Sequence, residues 1–153
     1  MEIGRIVAAE IESGLPRLRG LTARADIPVT QAVLDEALRL APGLPRDLRV
    51  EIGADRQLLI RVGPVHANAR LAPGLSLGPR PRLTIELASQ LVAWGLRAVT
   101  LPSFVSVEGR LVHVDLASVP ALRPAAPWWP HLQQVTFTST HGRLAVHAAV
   151  QVT

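Results

Sequence analysis

The sequence predicts an α+β fold: a curved antiparallel β-sheet of about six to eight strands packed against two or three helices. Three observations carry that expectation. Apolar and polar residues alternate in segment after segment, which is the pattern of half-buried antiparallel strands. Turn residues separate these segments at hairpin distances. One stretch of about three turns instead repeats its apolar residues at helical spacing.

The alternation is longest at residues 131–153. Val135 and Phe137 alternate with Gln134, Thr136 and Thr138, and a turn follows at Thr140-His141-Gly142. Leu144, Val146, Ala148, Val150 and Val152 then alternate with Arg143, Ala145, His147, Ala149 and Gln151. This hairpin presents an aliphatic face that something must cover, and it reads as the closing edge of one sheet.

Taken in order, Ile3, Ile6, Val7, Ile11 and Leu15 suggest a first helix over 3–15. Leu21, Ala23, Ala25 and Ile27 alternate as a strand, which Pro28 is expected to close. Thr30 is a candidate N-cap for the clearest helix, with Val33, Leu34, Ala37, Leu38 and Ala41 as its apolar stripe and Pro42-Gly43 as its stop. Leu48, Val50, Ile52 and Leu58, Ile60, Val62 form a hairpin across Gly53–Arg56, and Val65, Ala67, Ala69 and Leu71 add a third strand. Residues 72–81 are rich in Gly and Pro and read as a loop. Leu83, Ile85 and Leu87 resume a strand. Residues 88–99 fit either a short helix or a continued strand, and the helix is favoured. Residues 104–107 and 111–116 form a hairpin with Val112, Val114 and Leu116 inward. A proline-rich crossover, residues 121–130, carries Trp128 and Trp129. In an extended chain these adjacent rings point opposite ways, so one at most enters the core.

Composition sets limits. The 153 residues are read as one domain, 1–153, large enough for a core of its own. Hydrophobic residues make up 48% and aromatics only 3%, so that core is aliphatic. No window reaches the roughly 18 uncharged apolar residues of a spanning helix. The N-terminal stretch lacks a secretory apolar region, so the expected location is cytoplasmic or membrane-peripheral, with export only if a leader was removed. The absence of cysteine excludes disulfides, thiolate metal sites and a cysteine nucleophile. All 16 basic residues are arginines. Residues 56–107 hold six of them against one acid, so Arg61, Arg70, Arg80, Arg82 and Arg97 could face an anionic membrane surface. A solvated outer sheet face accounts for the same charges.

Catalytic motifs are sparse, and no catalytic residue is assigned. The five histidines have neither the i, i+2 nor the i, i+4 spacing of metal ligands, so no metal and no cofactor is expected. Gly74-Leu75-Ser76-Leu77-Gly78 fits G-x-S-x-G literally, but it lies in a Pro/Gly loop with no helix after it. The arginines are dispersed and lack interleaved aromatics, which argues against nucleic acid. Gly109-Arg110-Leu111-Val112-His113 echoes Gly142-Arg143-Leu144-Ala145-Val146-His147, two turn-to-strand entries with similar chemistry.

The segments Ile27–Leu40, Leu48–Val62 and Val105–Val152, with their Gly-Arg-Leu turns, resemble in layout the lipid-binding domains of the tubular-lipid-binding (TULIP) superfamily, in particular a group of small bacterial phospholipid-binding proteins. The resemblance implies an acyl chain wrapped between sheet and helix. Leu34, Leu38, Val50, Ile60, Trp94, Trp128, Trp129, Val146 and Val150 are the expected hydrophobic ligand-binding residues, and the expected partner is a lipid or another apolar small molecule. Two other readings stand beside this one. The apolar face could be covered by a partner protein or a second copy. Alternatively, the chain could be a hot-dog-type acyl thioesterase using Glu86 or His113.

Overall fold

The computed structural model describes residues 20, 22–41, 43–98 and 100–152. The helix expected over 3–15 and the residues Leu21, Pro42 and Val99 lie outside the described residues.

The fold is α+β with antiparallel pairing throughout, as expected, but the strands form two sheets. The larger has six strands: β2 (Leu48–Ile52), β3 (Gln57–Val62), β4 (Val65–Leu71), β5 (Arg82–Leu87), β6 (Val105–Glu108) and β7 (Leu111–Asp115), in the order β2-β3-β4-β5-β7-β6. It is curved and unclosed. The smaller has β1 (Thr22–Thr30), β8 (Leu132–Thr140) and β9 (Arg143–Gln151), in the order β1-β9-β8. The C-terminal hairpin therefore pairs with β1 and does not close the large sheet. Helix α1 (Gln31–Leu40) follows β1 directly, and α2 (Gln90–Ala98) links β5 to β6.

The register explains the alternation. Ile52, Leu58, Ala69 and Leu87 lie opposite one another across β2 to β5, and Leu71, Ile85, Val112 and Val107 across β4 to β6. Such rows put all apolar members on one face, because neighbouring residues of a strand point to opposite sides. On that face Leu58, Ala69, Leu71, Leu87 and Val112 cluster with Ala93 of α2 and with Val135 and Phe137 of β8. The core thus lies between the large sheet, α2 and the small sheet. Alanine at 69 and 93 permits close approach of helix and sheet.

Among the described residues several hydrogen-bonded contacts join the sheets. The Gln31 side chain pairs with the outer edge of β2 as a strand residue would, accepting from Ile52 N at 2.9 Å and donating to Val50 O at 2.6 Å. Ser139 of β8 donates to Gly53 O at 2.6 Å and accepts from Arg56 N at 2.6 Å, which ties β8 to the β2–β3 turn. Residues 73–75 run along β8, with Leu75 N bonded to Val135 O and Phe137 N to Pro73 O.

Several local expectations hold and others are revised. Thr30 caps α1, its side chain accepting from Val33 N at 3.3 Å. Residues 90–98 are helical. Pro28 does not close β1, which continues to Thr30 opposite Arg143. Among the described residues β1 pairs only with β9, and an edge strand tolerates a residue without an N–H. The crossover is not extended: Pro120–His131 forms 3-10 turns, so the two tryptophan rings are not held on opposite sides, and both are half-buried.

Candidate functional site

Each expected ligand-binding residue can be placed on this frame. Val50, Ile60 and Val146 pack, half-buried, at the margin of the core. Leu34 and Leu38 are the half-buried apolar residues of α1, one and two turns on from Gln31. Val150 is half-buried on β9, opposite Ala23 of β1 and Leu132 of β8, and Trp128 and Trp129 lie in the 3-10 segment just before β8. Trp94 stands apart from this group. The inward side of α2 consists of Val92, Ala93 and Leu96, which leaves Trp94 60% exposed and Leu91 75% exposed on the opposite side. Helix α1 is also rotated relative to its expected stripe, of which Val33, 54% exposed, and Ala37 face out; Leu40, outside that stripe, is 71% exposed, and Ile27 on β1 is 50% exposed. Aliphatic side chains are therefore half-covered around β1, α1 and β9, and uncovered along α2.

The outer, polar faces carry the titratable chemistry. On the large sheet a hollow of about 500 Å³ is lined by Arg82, Glu86, Glu108, Arg110, Leu111 and His113. His113 lies on β7 between Thr84 of β5 and Ser106 of β6, and is buried. Its Nδ1 is 3.0 Å from Thr84 Oγ1, and its Nε2 is 3.6 Å from a Glu108 carboxylate oxygen. Arg110 lies 3.6 Å from Glu86. The fold thus brings Glu86 and His113 into one hollow.

On the small sheet a second array crosses three strands. Asp26 Oδ1 on β1 is 2.7 Å from His147 Nδ1 on β9, and His147 Nε2 is 3.0 Å from Thr138 Oγ1 on β8. Sequence reasoning placed His147 outward but missed its partners. The outward parity of Asp26, His147 and Thr138 was visible in the alternation. The strand order that aligns them was not. Among the described residues no three His, Cys, Asp or Glu side chains converge as metal ligands.

Two other features find a structural account. Ser76 is paired through both backbone groups with Arg82 at 3.0 Å, and a Cβ on Gly74 would lie 2.5 Å from Val135 O. The first glycine of the G-x-S-x-G match therefore serves close approach to β8. Of the basic residues that could face a membrane, Arg61 lies 3.6 Å from Glu51, Arg80 is bonded to Asp115 and Ser118, and Arg97 donates to Gly109 O.

No protein-family model, curated protein or solved structure matches the chain.

Proposed function

We propose that the protein binds an apolar chain, such as a lipid acyl group or another hydrophobic ligand, against the half-covered aliphatic surface formed by β1, α1, β2 and β9. One observation carries the reading: aliphatic side chains at Ile27 on β1 and at Val33 and Leu40 on α1, the helix that follows it directly, remain at least half exposed, while Leu34 and Leu38 are half-buried. Burying each methylene contributes about 0.8 kcal/mol. An acyl chain of about 14 carbons therefore has enough gross driving force to offset the cost of immobilising it. The resemblance of the sequence's segment pattern to tubular-lipid-binding domains supports the same reading. In this reading Val50, Ile60, Val146 and Val150 floor the site, with the half-buried Trp129, whose Nε1 is buried, packed beside them and Trp128 at the rim, where an indole combines an apolar body with a polar N–H.

The test is native mass spectrometry of the purified chain, followed by displacement of a fluorescent fatty acid. Co-purifying acyl species and a loss of affinity of about tenfold or more in Leu38→Glu are expected. A ligand-free chain that takes up no fatty acid overturns the reading.

A second reading has its own observation. Helix α2 is apolar on the side facing the core and again on the opposite side, where Leu91 and Trp94 are exposed. A helix that is apolar all round is ordinarily covered. We propose that this face meets a partner, a second copy or an anionic membrane, with Arg97 beside it as the nearest cation on the helix. In the same measurement a ligand-free oligomer favours this reading over the first.

A further inference from the structure

We infer that Thr138, His147 and Asp26 form a nucleophilic hydroxyl site on the outer face of the small sheet, able to accept the acyl group of an activated ester. The hydrogen-bond roles follow from the partners. A carboxylate can only accept, so the 2.7 Å contact makes His147 Nδ1 the donor to Asp26. The neutral imidazole then carries its lone pair on Nε2, which accepts from the Thr138 hydroxyl at 3.0 Å. Carboxylate to Nδ1 and hydroxyl to Nε2 is the arrangement by which an imidazole serves as general base to a hydroxyl nucleophile.

Access is favourable. Thr138 is exposed, and the β9 residues flanking His147 on the same face are the small Ala145 and Ala149. The array on the large sheet is less suited. Its carboxylate lies 3.6 Å from the imidazole, beyond hydrogen-bond range, and its hydroxyl, on Thr84, is half-buried.

The reaction closes without a further reagent. Thr138 Oγ forms a bond to the ester carbonyl carbon while its proton passes to His147 Nε2, and Asp26 stabilises the imidazolium. Collapse of the tetrahedral species breaks the bond to the leaving oxygen, which departs with the proton from Nε2. Water then adds to the acyl-threonine, gives its proton to Nε2, and releases the carboxylic acid as Thr138 recovers a proton. The backbone N–H groups around the site lie in the sheet plane and are engaged in the ladder, so no donors are preorganised for the oxyanion. The substrate class is therefore esters with a good leaving group.

The experiment uses the full chain and p-nitrophenyl acetate, read by intact mass and peptide mapping, with circular dichroism as a fold control. One acetyl group on Thr138 is expected. The adduct is lost in Thr138→Val, which keeps the β-branched shape, and retained in Thr138→Ser. Labelling slows by about 100-fold in His147→Gln, in line with loss of a general base. It also slows in Asp26→Asn, whereas a merely structural Asp26 would leave it unchanged. A folded chain that neither carries the acetyl group nor releases p-nitrophenol faster than buffer, an adduct on any other residue, or full labelling of folded Asp26→Asn overturns the proposal.

Discussion

Each sheet brings together an acid, an imidazole and a threonine from three neighbouring strands, yet the two arrays differ in burial and in spacing. In the large sheet His113 has a side chain only 9% exposed, with Glu108 at 3.6 Å. In the small sheet the His147 side chain is 40% exposed, with Asp26 at 2.7 Å. Both histidines follow a Gly-Arg-Leu turn whose glycine has positive φ, 59° at Gly109 and 75° at Gly142. Similar local chemistry thus serves two surroundings. The large sheet contributes most of the core and seals its histidine among neighbours. Among the described residues the small sheet has an edge strand whose inward residues are largely exposed, and its histidine is partly open to solvent.

The sharpest way to break this contrast is to cut the apolar face of each sheet. Leu87 is fully buried, and Leu87→Ala is expected to cost about 2–5 kcal/mol. Ile27 on β1 is half exposed, and Ile27→Ala is expected to cost about 1 kcal/mol or less. Urea unfolding of the two variants measures both. Equal losses would mean that the small sheet is packed as firmly as the large one.

That contrast also separates what the sequence made legible from what it hid. The faces of nearly every strand could be read, because side-chain parity has a period of two and needs no knowledge of partners. The start of α1 could be read from Thr30, since capping is a local event. Partnership is not local. Asp26 and His147 are 121 residues apart, and nothing in their own segments says that β1 lies beside β9. The alternation of residues 143–151 is equally satisfied in either sheet, so its assignment to a single curved sheet failed. The face of α2 was hidden for a related reason. With Leu91, Val92, Ala93, Trp94 and Leu96 apolar around most of the helix, periodicity could not say that Ala93 would face the core and Trp94 the solvent.

The next test compares the histidines directly. Replacing His113 with alanine removes the partner of Thr84 Oγ1 and leaves space beneath the hollow, at an expected cost of about 1–3 kcal/mol. Replacing His147 breaks an exposed pair with Asp26, at an expected cost below about 1 kcal/mol. Thermal unfolding of both variants reads the difference. A His147 variant as unstable as the His113 variant would show that the small sheet depends on its polar array.

The smallest effect concerns Asp115, at the end of β7 two residues beyond His113. The Arg80 guanidinium hydrogen-bonds its carboxylate and, with Ser118 Oγ at 2.9 Å and Ala117 N at 3.2 Å, holds its pKa below the ordinary 3.8 against the opposing effect of burial. A depressed folded-state pKa means that the native state favours the ionised form. Its contribution is therefore fully present above about pH 3.8 and is lost as the pH falls through the lower folded value. Arg80 is well exposed, so solvent keeps the gain within about 1 kcal/mol. Asp115→Asn is expected to lower stability slightly at neutral pH, and the gap from the wild type should narrow as the pH falls below 3.8. A gap that stays constant into acid would assign the effect to side-chain packing and not to charge, since an asparagine oxygen can still accept from Ala117 N.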